Sequence, residues 1–373
     1  MEQLIVYIIP LFILMIAAEF AYGWFKQRNT YRLSDAISSL NQGLISQLVA
    51  LVTQLFQIGL YAIVYRHVAL FPQAPFWQTI LGWITAIVLF DFFDYWLHRM
   101  GHENALMWAA HSVHHQSQDF NFTTALRQES TVVFIGWLFY LPMAVLGVSP
   151  EQFGIAGLVV LVYQFWIHTE HIGKLGWFDK VFSSPSNHRV HHAVNDQYLD
   201  KNYGGMLVIW DRLFGTFAEE EDACVYGTRT QLQSWNPLWA VTGGYWQLAK
   251  TALQMPRWQD KLQVWFKPPG WSPADMPASG PAFDLEQARV RYDVDLPAGA
   301  QLLAVLQFAL LLAATAICLW IADDISYWHL LLVCSALLVA FWALGAFLQR
   351  RLSVTAVLLI DVAVSAVTLY TLR

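Results

Sequence analysis

Apolar residues run through this chain in blocks long enough to cross a bilayer, which takes about 20 mostly apolar residues. The blocks cover 4–24, roughly 38–63, 77–97, 131–148, 151–170, 300–321, 328–348 and 353–371. Only Ser149-Pro150 parts the fourth from the fifth, so these two predict a hairpin that spans the membrane or dips into it. Between 171 and 299 the pattern turns polar and predicts a cap outside the bilayer. Within it, Trp258, Leu262, Trp265 and Phe266 share one helical face. That spacing suits a helix lying at the interface, and equally an ordinary amphipathic cap helix. A Pro/Gly-rich run from Lys267 to Gly299 reads as a linker. The expected organisation is a membrane domain over 1–280, a linker over 281–299 and C-terminal membrane helices over 300–373. The predicted fold class is an all-α integral membrane protein: a transmembrane helical bundle with a helical cap.

Composition agrees with the pattern. The chain is 57% apolar and 13% charged, whereas an average globular protein is about 25% charged. Its 18 tryptophans suit a protein with two membrane surfaces. A net charge of −6 gives no reason to expect a nucleic-acid partner. Cys224, Cys318 and Cys334 have no metal-ligand spacing. Met1-Glu2-Gln3 lacks the basic start of a secretory signal, so the first apolar run reads as a retained anchor. Lys26, Arg28 and Arg32 follow the first block, and Arg350-Arg351 separate the last two. Basic loops stay in the cytoplasm. With all eight blocks crossing, every Lys and Arg except Arg66 and Arg373 falls on that side, as does the cap.

Ten of the 12 histidines fall between 98 and 192. They form the clusters His98-x-x-x-His102, His111-x-x-His114-His115 and His188-x-x-His191-His192. Residues three and four apart share a helix face, so each cluster aims several imidazoles at one point. Massed imidazole suits zinc, copper, iron or nickel. Eight to ten histidines exceed the four ligands of a structural zinc site and match two metals with four or five each. An oxygen-binding dinuclear site beside a membrane points to iron. His102-Glu103 has no second histidine at the offset of a zinc hydrolase motif. Bis-histidine haem needs one ligand on each of two facing helices, not three crowded clusters.

His168, one turn beyond Gln164, can reach the same level as the clusters and is a candidate metal ligand; His171 lies off that face but is counted as a candidate ligand too. Asp91, Asp94 and His98 are spaced i, i+3, i+7; Asp94 is expected to hold the outer N–H of His98. Arg127 and Gln128 could hold a headgroup or cofactor, but a loop cation at the lipid surface is the preferred reading for Arg127. His67 and His329 stand alone beside membrane runs and are expected to play no part in the site.

On these three boxes the chain resembles the fatty acid hydroxylase and sterol desaturase superfamily of membrane di-iron enzymes. Blocks at Asp91–Arg99, Thr124–Gln128, Tyr163–Glu170, Pro185–His192, Asp200–Gly204, Ile209–Phe217 and Pro268–Trp271 look like the alkylglycerol monooxygenases of its ether-lipid branch. The resemblance covers about 1–280 and continues into a similar apolar C-terminal region. It implies a monooxygenase that hydroxylates the carbon beside the ether oxygen of a glyceryl ether, whose product collapses to an aldehyde and glycerol. It also implies tetrahydrobiopterin as reductant. His98, His102, His111, His114, His115, His188, His191 and His192 carry over as iron ligands, with a further ligand expected near His168. Glu103 and Glu170 are implied supports of the site. Asn187 departs from the family by replacing a histidine, and His171 by adding one. A hydroxylase or desaturase of a sterol, carotenoid or fatty acyl lipid has the same ligand spacing. A metal transporter fits less well, because it would place its ligands at mid-membrane.

Overall fold

The computed structural model describes residues 2–276 and 282–371, so the first residue of the expected linker and the middle of its Pro/Gly run lie outside the described residues. The helices are α1 (Glu2–Phe25), α2 (Leu33–Val52), α3 (Leu60–Val68), α4 (Ile80–Glu103), α5 (Ala105–His115), α6 (Phe122–Ala125), α7 (Val133–Leu146) and α8 (Pro150–Trp166). They continue as α9 (Pro185–His192), α10 (Ile209–Phe214), α11 (Pro237–Gln254), α12 (Trp258–Gln263), α13 (Leu285–Ala288), α14 (Ala298–Ile321), α15 (Tyr327–Leu348) and α16 (Val354–Thr371). Among the described residues strand pairing is confined to the isolated bridges Phe182–Leu207 and Ala193–Tyr226. The chain is an all-helical membrane protein.

Among the described residues, four helices are long and apolar enough to cross a membrane: α1, α4, α14 (with the turn after it) and α15. Four of the eight expected crossings thus have a helix of spanning length and hydropathy among the described residues. The 38–63 block breaks into α2, a π-helical turn at Leu55–Gly59 and α3. The physical reason lies in α2, whose buried face is polar and points into the protein. Gln42 donates to the Pro237 carbonyl at 3.0 Å, and Ser38 accepts from Arg127 at 3.1 Å. The expected hairpin forms as α7 and α8, joined through Gly147 at φ +104°, which only glycine adopts freely. At 14 and 17 residues these helices reach about 21 and 26 Å, short of a full bilayer crossing.

Three corners place the histidines. Thr79 caps the start of α4 by accepting from the Gly82 amide, and the helix runs two turns past the apolar block, carrying His98 and His102. Asn104 ends α4 and caps α5 by accepting from the Met107 amide, so a one-residue corner turns His111 back towards His102. Gly101 makes that approach possible: a Cβ there would stand 3.2 Å from the His111 ring. Ser184 caps α9, with Pro185 at its first position. The C-terminal helices pack directly on the preceding ones. Ile37, Leu48, Leu311, Leu337 and Leu344 share one apolar core, which packs α14 and α15 on α2. The expected linker carries the short helix α13 and is tied to the loop between α5 and α6 by Tyr292 N–H to Gln118 at 2.7 Å and Arg291 to Asp119 at 2.9 Å.

Candidate metal centre

Nine imidazoles meet at the junction of α4, α5, α9 and the turn after α8. Two groups form in which one nitrogen from each ring lies within 4.8 Å of the others: His98, His102, His111, His115 and His191, and beside them His114, His168, His188 and His192. Stacking of His115 on His192, with ring centres 4.4 Å apart, joins the groups.

The orientation of each ring is set from outside the cage. His98 Nδ1–H donates to the Tyr203 carbonyl at 2.7 Å, His114 to Arg127 at 2.8 Å, His168 to Gln164 at 2.7 Å and His191 to Lys201 at 3.0 Å. A carbonyl only accepts, so Nδ1 carries the proton in all four. Their Nε2 lone pairs therefore face inwards. Burial holds the free imidazoles neutral: it pushes His111 down to about 3 and His114 to about 4, and His168, His188 and His192 well below the usual range. His114 Nε2 and His168 Nε2 then stand 3.3 Å apart with no hydrogen between them. Buried Nε2 atoms of His98, His102 and His191 have no partner at all. Opposed lone pairs and orphaned nitrogens are what a bound cation would satisfy, and nitrogen ligands of this number and type suit a transition metal.

Two carboxylates touch the cage, and neither was expected. Glu129 accepts from His111 Nδ1 at 2.9 Å, and Asp200 lies 3.5 Å from His102 Nδ1. Glu129 directly follows the Thr124–Gln128 block, but no spacing rule links it to His111, 18 residues away. The carboxylates predicted from sequence make other contacts. Asp94 accepts from Tyr140 at 2.7 Å and Gln164 at 3.4 Å, not from His98, because the Tyr203 carbonyl already occupies that ring nitrogen. Glu103 pairs with Arg99 one turn back on α4 at 2.9 Å, and Glu170 with Arg28 at 3.5 Å. His171 stands apart from both groups, its ring 5.2 Å from that of Tyr22. His67 and His329 are exposed and distant from the cage in sequence and burial. Asn187 donates to the Asp179 and Phe182 carbonyls and serves the entry to α9.

Arg127 reverses the expectation of a surface cation. It is buried, with Nε donating to the Val113 carbonyl at 2.7 Å and its other nitrogens to Ser38, Ser39 and Gln116. It knits α5 to α2, and its carbonyl orients His114. Arg189 does similar work for α9: it pairs with Glu220 through two contacts of 2.7 Å and donates to the Thr169 and Ile172 carbonyls, fixing α9 against the turn that bears His168.

The cage opens on a cavity of about 720 Å³, bounded by α1, α2, α4, α8 and α14. His98, His111, His114 and His168 form its inner end. Asp94, Glu129, Gln128 and Gln164 lie near them, while the remaining wall is almost wholly aliphatic and aromatic. No Lys or Arg is among the described residues that line it.

Comparison with known proteins points the same way. The model of the fatty acid hydroxylase family matches residues 83–216. Human alkylglycerol monooxygenase is 36% identical over 308 residues, covering 82% of this chain and 68% of the relative. The Danio rerio enzyme of that name is 35% identical over 347 residues, covering 92% and 77%. Ornithine lipid hydroxylase of Rhizobium tropici is 32% identical over 141 residues, covering 38% and 41%. No solved structure matches the chain.

Proposed function

The chain belongs to the alkylglycerol monooxygenase family of lipid monooxygenases, and on that premise we propose that it hydroxylates the carbon beside the ether oxygen of a neutral alkylglycerol. The observation that supports this substrate is the wall of the cavity. A carboxylate or phosphate placed near the cage would face Asp94 and Glu129, with no Lys or Arg among the described lining residues to pair it and only the metals themselves to offset its desolvation. A neutral glyceryl ether meets no such penalty. Its hydroxyls can donate to these carboxylates or exchange hydrogen bonds with the Gln128 and Gln164 amides, and its tail suits the apolar wall.

In the proposed reaction one oxygen atom of O₂ enters the C–H bond and the other leaves as water, taking two protons and two electrons from an external reductant. The resulting hemiacetal breaks its C–O bond to give a fatty aldehyde and glycerol. Two irons held by the cage would supply the oxygen activation. We assign His98, His102, His111, His115 and His191 to one and His114, His168, His188 and His192 to the other. The carbonyl-tethered rings keep their lone pairs aimed at the metals, and Glu129 raises the electron density of His111. The apolar wall keeps bulk water from the reacting carbon. Tetrahydrobiopterin is the proposed reductant, following the family resemblance.

The proposed orientation puts the cap in the cytoplasm. Arg32 pairs with Asp119, in the loop just after the cage helix α5, at 3.0 Å, and Gln349, beside Arg350-Arg351, reaches Ser234 of the cap at 3.3 Å, so both basic loops lie at the cage end of the bundle.

The test supplies iron-loaded protein with an alkylglycerol, oxygen and a reduced pterin, and looks for fatty aldehyde by mass spectrometry. Oxidation of a sterol or acyl lipid, with none of the ether, would replace this reading with the second one. One tightly held zinc per chain, and no iron, would end the di-iron assignment.

A further inference from the structure

The side of the cavity facing α4 and α8 is built by elements outside the segment that matches the fatty acid hydroxylase family. On α14, Val305, Phe308, Ala309 and Leu312 line the cavity at i, i+3, i+4 and i+7, and Leu319 lines it two turns farther on. All five lie on one helix face. From Val305 to Leu319 that face extends about 21 Å along the helix, about the length of a long lipid tail. The helix enters from the cap end, so Leu319 lies farthest from the cage. Exposure follows this direction: Val305 is 42% exposed, whereas Leu319 is 2% exposed and belongs to the apolar core. The stripe is open near its start and closed at its far end.

We propose that α14 is the measuring wall of the cavity: Leu319 sets the tail length the site accepts, and Phe308 with Leu312 sets the girth. This rests on the reading that a lipid tail occupies the cavity. A tail that stops short leaves apolar wall in contact with water or void, and one that is too long must fold back or leave methylenes outside. Each buried methylene gained or lost changes affinity about fourfold. A chain of the right length therefore stands out sharply from one shorter or longer by a few carbons. The C-terminal helices in this view are part of the specificity apparatus, not only an anchor.

The test uses the full-length, iron-loaded protein and a graded series of straight-chain alkylglycerols from short to long. Leu319→Trp should shift the preferred tail to a shorter one, lowering kcat/KM for the longest substrates at least tenfold relative to the shortest, with iron content unchanged. Phe308→Ala should admit branched tails that the native protein rejects and leave the length limit in place; it also serves if Leu319→Trp does not fold. Anaerobic binding of the same series without reductant, read by thermal shift, separates this inference from the assigned reaction. A length limit in binding that Leu319→Trp shortens, without turnover of the ethers, would keep the measuring wall and discard the substrate reading. A length profile for Leu319→Trp identical to the native one, or rejection of branched tails by Phe308→Ala as by the native protein, would overturn the proposal.

Discussion

Asp91 offers the sharpest test of how the cage is held. It is buried on α4 and accepts three hydrogen bonds: from Met206 N–H at 2.6 Å, Leu207 N–H at 3.1 Å and Trp210 Nε1–H at 2.8 Å. The loop it grips begins at Tyr203, whose carbonyl holds His98 two turns further along the same helix. Asp91 therefore fixes one end of a loop that orients a ligand at the other. Asp91→Ala would orphan three donors, at about 1–3 kcal/mol each, or about 3–9 kcal/mol in all. That rivals the whole net stability of a typical domain, about 5–15 kcal/mol. Asp91→Asn keeps the shape and loses one acceptor, so its cost is about 1–3 kcal/mol. The expected series in detergent is a melting point lowered by several degrees for Asn, and failure to accumulate or loss of iron for Ala. Iron content by elemental analysis and a thermal melt measure both. An Ala variant with native melting temperature and full iron would refute the claim that this carboxylate secures the cage.

Other outcomes follow from the same geometry. His111→Ala and His191→Ala should each lower iron content, whereas His171→Ala, outside both groups, should retain it; equal loss in all three would contradict the assignment. Glu129→Gln should keep the fold and lower activity or metal affinity about 10–100-fold, the usual effect of losing a ligand's outer partner. Unchanged turnover and unchanged iron spectra would show that the His111–Glu129 contact is idle. The metal-free protein should lose stability on acidification. His111 and His114 titrate at about 3 and about 4 when folded, below the unfolded value of about 6.5. The unfolded chain thus takes up protons first as pH falls through 6.5, and each group costs up to about 1.4 kcal/mol per pH unit in that window. A denaturant midpoint of the apoprotein that stays flat between about pH 7 and pH 5 would count against neutral, buried rings.

The sequence by itself determined where the long apolar helical runs lie and which histidines are candidate ligands. Both are local: a run of apolar residues and a spacing of three or four need no knowledge of the rest of the chain. For the same reason His98, His102, His111, His114 and His115 were legible together, and Asn104 could turn one helix back on another within a single residue. What holds those rings was not legible. The partner of His98 is a backbone carbonyl 105 residues away, and that of His111 is a carboxylate 18 residues away with no helical register linking them. Asp94 had the right spacing to serve His98, but Tyr203 occupies the ring nitrogen, and Asp94 turns to Tyr140 and Gln164. Arg127 looked like a surface cation because charge predicts exposure, yet four tertiary acceptors make its burial possible. Likewise the sequence marked α14 only as an apolar membrane run. Hydropathy is equal on the face that meets lipid and the face that lines an apolar cavity, so only the packing of α14 against α1 and α2 decides which of its residues meet the cavity beside the cage.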